Sequence, residues 1–168
     1  KGIGEAFIIG SDFIGNSNVC LVLGDNILWG QGLTGLLIKS KKFTKGGKIF
    51  AYPVENPEEF GVLRLNRANE IIEITEKPKD SKSNLAIPGI YFYDNSVLEV
   101  AKKIKPSKRG ELEITDINKI FLKKKKLSHI MLGRGFAWLD TGNPELILEA
   151  SNFVRTIEKR QGTKIPCL

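Results

Sequence analysis

Residues 19–23, Val-Cys-Leu-Val-Leu, form an unbroken apolar run that ends in Gly24-Asp25-Asn26. A short continuous run bounded by turn residues reads as a strand buried on both faces, the habit of parallel sheets. The segments around it alternate in type. Residues 2–9 read as a short helix stopped by Gly10, and 33–43 as a short amphipathic helix ending in lysines. Residues 48–52 read as a strand stopped by Pro53. Residues 61–65 and 71–75 form a hairpin around Asn66-Arg67-Ala68-Asn69. Residues 86–93 make a long strand in which Pro88-Gly89 marks a bulge or a close backbone approach.

Further on, Asn95 is the expected N-cap of a helix over 95–104, and Ile114, Ile117, Ile120 and Phe121 mark a second helical stripe. Strands are expected at 127–132 and 135–139. Asn143-Pro144 then opens a long helix, with Leu146, Ile147, Ala150, Phe153, Val154 and Ile157 recurring at three and four and Gly162 ending it. Strands alternating with helices at this spacing predict a single α/β domain over 1–168 with a mixed, largely parallel central sheet. No internal repeat is visible.

Charge and cysteine usage bound the function. Lys and Arg number 26 against 19 Asp and Glu, a net +7 that favours anionic partners. The lysines come in short runs without interleaved aromatics, which argues for small anions rather than nucleic acid. Cys20 and Cys167 read as free thiols of a reducing compartment, and no apolar stretch reaches the roughly 18 residues of a membrane span. His129, the single histidine, reads as structural, and Trp138 as core. Zinc spacings, a Walker loop and a nucleophilic triad motif are absent. The single Met is Met131 and position 1 is Lys, so the chain reads as a fragment of a longer protein.

In open α/β sheets ligands bind at the carboxyl ends of strands. Three apolar runs end there in chemistry: at Asp25, at Glu76-Lys77-Pro78, and at Asp140-Thr141-Gly142. Two carboxylates and a lysine suit a metal-assisted reaction on a phosphate, with Mg²⁺ on the carboxylates and the lysine as a point charge. Each site also has an ordinary reading as a turn residue, a helix cap or a solvated pair.

Longer strings add to this. Val-Leu-Gly-Asp-Asn (22–26), Glu-Phe-Gly-Val (59–62), Glu-Lys-Pro-Lys (76–79) and Gly-Ile-Tyr-Phe-Tyr-Asp (89–94) occur in order. Arg-Gly-Glu-Leu-Glu-Ile-Thr-Asp (109–116), Gly-Phe-Ala-Trp-Leu-Asp-Thr-Gly (135–142) and Thr-Ile-Glu-Lys-Arg-Gln-Gly (156–162) follow. The ordered set closely resembles the glucose-1-phosphate thymidylyltransferases of the sugar-nucleotide pyrophosphorylase group.

The resemblance implies a Rossmann-like nucleotidyltransferase fold and a Mg²⁺-dependent reaction of dTTP with glucose 1-phosphate, giving dTDP-glucose for rhamnose and other cell-surface sugars. Asp25 and Asp140 match the metal-binding aspartates, and Lys77 the lysine that holds the sugar phosphate. Glu76 matches a carboxylate bonded to sugar hydroxyls; Asn26, Gly61, Ile87 and Gly89 match sugar-side positions, and Gly2 a glycine close to the thymine nucleotide. The resemblance further implies a cytoplasmic homotetramer that uses neither nucleic acid nor membrane. The family's Gly-x-Gly-Thr-Arg loop has no counterpart in residues 1–15, and its C-terminal extension has none after Leu168. The expectation is therefore an N-terminally truncated domain with little or no turnover of its own and with exposed core surface. A non-catalytic nucleotide-sugar-binding regulatory paralogue and a structural subunit that associates with a complementary chain are the rival readings.

Overall fold

In central strands every second side chain points to the same face, and here both faces are covered. The computed structural model describes residues 2–42, 45–162, 164 and 165. A 3₁₀ turn at Ile3–Glu5 leads into α1 (Ala6–Ile9) and α2 (Ser11–Ile14), followed by β1 (Val19–Val22), β2 (Asn26–Gly30) and α3 (Leu33–Ser40). Then come β3 (Gly47–Pro53), β4 (Gly61–Leu65), β5 (Ile71–Glu76), β6 (Leu85–Ala86) and β7 (Ile90–Tyr93). The chain closes with α4 (Val97–Ala101), α5 (Ile114–Lys123), β8 (Leu127–Met131), β9 (Phe136–Asp140) and α6 (Pro144–Gln161).

The main sheet runs β1-β7-β3-β6-β4-β5, with β8 also paired to β3; β2 and β9 form a separate two-stranded ribbon. From β3, Ile49 and Ala51 join Tyr91 and Tyr93 of β7 in a core shared with Phe7, Val97, Ile117 and Phe121 of the helices. Phe50, Ile90 and Phe92 point the other way, onto Leu36 and Leu37 of α3 and onto Leu28 and Phe136 of the ribbon. The result is three layers: helices, sheet, then α3 with the ribbon.

The α/β class holds, but the largely parallel sheet does not. Among the described residues only β3 and β8 run parallel; every other pairing is antiparallel. A continuous apolar run reports that two faces are covered, and a helical layer on one side with a ribbon on the other covers an antiparallel strand equally well. Direction is set by the connections instead. The short turn between β4 and β5, with Asn69 left-handed at φ 61° and Asn66 Oδ1 accepting from the Ala68 and Glu70 N–H groups, forces an antiparallel pair. β1 itself lies at an edge, paired only with β7 among the described strands, with Cys20 exposed and Val22 42% exposed.

Smaller corrections have local causes. Gly10 caps the first helix as expected, but its φ of −84° lets a further short helix, α2, follow at once, and Gly15 (φ 53°) ends that one. Pro88-Gly89 splits the expected 86–93 strand into β6 and β7, which both pair with β3 but have β4 and β1, respectively, on their other sides. Asn95 is no N-cap: it donates to the carbonyls of Gly15 and Ser17, while Asp94 accepts from the Ser96 N–H. The third helix closes at Ser40; Phe43, like Cys167 and Leu168, lies outside the described residues. β2, unforeseen in the sequence, forms only because β9 is there to pair with it. The caps of α6 are as expected: Asn143 Oδ1 accepts from Leu146 N–H at 3.0 Å, and Gly162 takes φ 66°.

Candidate active site

The ribbon brings two aspartates together. β2 begins just after Asp25, and its first residue, Asn26, lies directly opposite Asp140 of β9. Directly opposed residues of an antiparallel pair sit about 5 Å apart at Cα, so Asp25 and Asp140 are near neighbours. Thr141 clamps the junction, donating its N–H (2.8 Å) and its hydroxyl (2.9 Å) to the Asp25 carbonyl. Neighbouring groups hold each carboxylate. Asp25 Oδ1 accepts from Asn26 Nδ2 at 2.8 Å, and Asp140 Oδ1 from the Gly142 N–H at 3.0 Å. The Thr141 N–H also bonds to the Asp140 carboxylate.

The charges interact. Burial pushes the Asp140 carboxyl above the ordinary aspartate range; the Gly142 N–H opposes that, the Asp25 charge adds to it, and Lys77 pulls it back down. Asp25 and Lys77 are therefore both within electrostatic reach of Asp140. Among the described residues no group of three or more His, Cys, Asp or Glu side chains could hold a metal. Two neighbouring carboxylates within electrostatic reach of a lysine nevertheless fit Mg²⁺, which takes one or two carboxylates and completes its shell with water and substrate phosphate.

The second half of the site is built on the β4–β5 hairpin. Glu76 ends β5 opposite Gly61, and the Thr115 hydroxyl, from the first turn of α5, donates to Glu76 Oε2. Gly61 is required there: a Cβ would come within 3.0 Å of the Thr115 hydroxyl and 3.3 Å of Glu76 Oε2. Lys77 follows in the left-handed region at φ 41°, its N–H donating to the Phe60 carbonyl at 3.0 Å. A non-glycine residue held there is strained, a feature that clusters at functional sites.

The Pro88-Gly89 break joins the halves. Ile87 N–H donates to the Gly61 carbonyl (2.8 Å), and Gly89 N–H to Asn26 Oδ1 (2.9 Å). A Cβ on Gly89 would lie 2.8 Å from that oxygen and 2.7 Å from the Leu23 side chain. Tyr91 is buried between the two halves; desolvation raises its phenol well above the ordinary range, and the charges of Glu76 and Asp25 raise it further.

Of the residues singled out in the sequence, Asp25, Asn26 and Asp140 meet on the ribbon. Gly61, Glu76 and Lys77 meet on the hairpin, and Ile87 and Gly89 link the two. Gly2 (φ 120°) contacts a different segment, Glu111 and Leu112, on the way into α5. Sequence reasoning missed Thr115, Tyr91 and Trp138. Thr115 looks like an ordinary first-turn residue, and Tyr91 like any core aromatic. Trp138 offered one usable signal: it sits two residues before Asp140, hence on the same side of β9.

A family model described as "Nucleotidyl transferase" matches residues 1–157. The glucose-1-phosphate thymidylyltransferase of Neisseria meningitidis is 53% identical over 167 residues, covering 99% of this chain and 58% of the relative. A Bacillus anthracis protein solved in complex with sucrose superposes with TM-score 0.78 at 39% identity, over 92% of this chain and 61% of its own. A UDP-glucose pyrophosphorylase complexed with UDP-glucose gives TM-score 0.78 at 27% identity, over 93% and 62%. The chain thus spans a little under three fifths of the length of the curated relative it matches.

Proposed function

The chain belongs to the nucleotidyl transferase family, and on that premise we propose that it serves thymidylyl transfer from dTTP to glucose 1-phosphate. A phosphate oxygen of glucose 1-phosphate attacks the α-phosphorus of dTTP. The new P–O bond forms as the α–β bridge breaks, pyrophosphate leaves with the bond's electrons, and dTDP-glucose results. The attacking group is already an anion, so no strong base is required, and catalysis reduces to positioning and charge neutralisation.

Asp25 and Asp140 would hold Mg²⁺, which when bound neutralises charge on the reacting phosphates. Lys77 binds the sugar phosphate. Glu76, with Oε2 taken by Thr115, keeps Oε1 for a sugar hydroxyl. Asn26, Gly61, Ile87 and Gly89 shape the sugar side, where missing Cβ atoms and main-chain groups let the ring approach closely, and Gly2 faces the nucleotide. The observation that carries the reading is the meeting of the Asp25, Asp140 and Lys77 charges at one place, where the Asp25 and Lys77 charges both act on the Asp140 carboxyl. The similarity to glucose-1-phosphate thymidylyltransferases is what favours dTTP over other nucleotides.

Titration of the 168-residue chain with glucose 1-phosphate by calorimetry or NMR tests the reading. Lys77→Met should weaken binding about 100-fold, the worth of one strong charge-assisted hydrogen bond. Equal affinity in that variant would remove Lys77 from the sugar-phosphate site. In a protein carrying this chain at the length of its relatives, Asp140→Asn should abolish most Mg²⁺-dependent release of pyrophosphate from dTTP.

A further inference from the structure

Asn26 is the most heavily used polar side chain of the ribbon. Its Oδ1 accepts twice, from Gly89 N–H at 2.9 Å and from the Trp138 indole Nε1–H at 2.7 Å, and its Nδ2 donates to Asp25 Oδ1 at 2.8 Å. Neither donor on the Oδ1 side can accept, so turning the amide over would set N–H against N–H twice. The amide therefore has one orientation, and it is the one that offers a donor to Asp25. The Asp25 carboxylate is thereby engaged at Oδ1, and the amide leaves Oδ2 to other partners.

Trp138 lies diagonal to Asn26 across the ribbon, since Asn26 opposes Asp140 and Leu28 opposes Trp138. That is a separation an aromatic side chain can bridge. Its ring is wedged against Tyr52 (centroids 5.8 Å, near perpendicular) and Phe60 (4.9 Å), so the N–H is aimed by packing from the main sheet and from the hairpin that carries Lys77.

We propose that Trp138 is a positioning residue for the divalent-cation site: through Asn26 it sets which oxygen of Asp25 is free to bind the ion. This rests on the metal-side reading above and adds an outer-sphere determinant to it. Groups that orient metal ligands typically govern affinity by 10- to 100-fold.

The test is Mn²⁺ binding to the 168-residue chain, read by electron paramagnetic resonance without turnover. Trp138→Phe keeps a ring but loses the N–H, and should weaken Mn²⁺ about tenfold. In an Asn26→Ala background the same change should cost nothing, because the relay is already cut. Phe60→Leu loosens the packing and keeps the N–H, and should leave Mn²⁺ affinity within about twofold. In the unsubstituted chain, added Mg²⁺ should shift the Asn26 side-chain amide and Trp138 indole NMR resonances, a check that needs no variant to fold. Mn²⁺ affinity unchanged in Trp138→Phe, an equal loss in the Asn26→Ala background, or unmoved Asn26 and Trp138 resonances would each overturn the relay. Failure of the unsubstituted chain to bind Mn²⁺, or equal binding by Asp140→Asn, would instead overturn the metal-side reading on which the relay stands.

Discussion

The main sheet and the ribbon are built on different physics. In the sheet, β7 is buried along its whole length and β3 over Ile49, Phe50 and Ala51; Tyr93 packs edge-on to Phe7 at 5.5 Å and stacks on Phe121 at 5.2 Å. In the ribbon every residue of β2 and β9 is only half-buried, and what holds Asp25 beside Asp140 is a set of polar bonds from Thr141, Asn26, Gly142 and Trp138. Hydrophobic burial gives the sheet its stability without directing any one atom. Hydrogen bonds, each worth about 1 kcal/mol net, give the ribbon direction at little gain in stability. Glu76 and Lys77, proposed for the sugar phosphate, hang from the first region, and Asp25 and Asp140, proposed for the metal, from the second.

Three predictions would break or sharpen that contrast. The largest effect belongs to the sheet's core. Phe121→Ala should cost about 3–5 kcal/mol in denaturant unfolding, against about 1 kcal/mol or less for Ile27→Ala in the ribbon. Similar losses at the two positions would show that the ribbon is part of the same cooperative core. Next comes the seam between α5 and the hairpin. Thr115→Val removes the donor to Glu76 and should weaken glucose 1-phosphate binding about fivefold in calorimetry, with Thr115→Ser recovering most of it. A Ser variant as weak as Val would assign the effect to packing.

The smallest effect is a pH dependence. Burial and Asp25 raise the Asp140 carboxyl, so the folded state holds that proton more tightly than the unfolded chain does. Its contribution to stability is therefore present below the ordinary aspartate range and lost as pH rises through the elevated folded value. Unfolding measured across the acidic range without metal should show this slope, and Asp140→Asn should flatten it. In the same range protons should displace Mn²⁺ at a higher pH than from an ordinary aspartate. An unchanged slope in Asp140→Asn would place the coupling elsewhere.

Apolar surface also separates regions. Phe13 and Ile9, at the start of the chain, are 95% and 78% exposed, and Ile147 and Leu148 of α6 are open as well. α6 has the three-and-four periodicity expected of it, yet of its stripe only Ala150 is buried. An open groove of about 790 Å³ runs beneath it, lined by Ile27, Ile147, Ala150 and Val154. Periodicity predicted a helix with one apolar face; it carried no information on what lies against that face. No helix among the described residues is long and apolar enough to cross a membrane.

What was legible in the residues alone follows the range over which each signal acts. Helix periodicity, the Asn143 and Gly162 caps of α6, the Asn66–Asn69 turn and the break at Pro88-Gly89 depend on neighbours a few positions away, and they could be read directly. The ordered strings around Asp25, Glu76-Lys77 and Asp140 likewise mark chemistry wherever the chain puts them. Strand direction, the existence of β2, the Thr115 grip on Glu76 and the orientation of the Asn26 amide were decided only in three dimensions. Each depends on partners far apart in the chain, Asn26 and Trp138 being 112 positions from one another. A side chain's type states what it can bond, and only the fold determines which donor arrives.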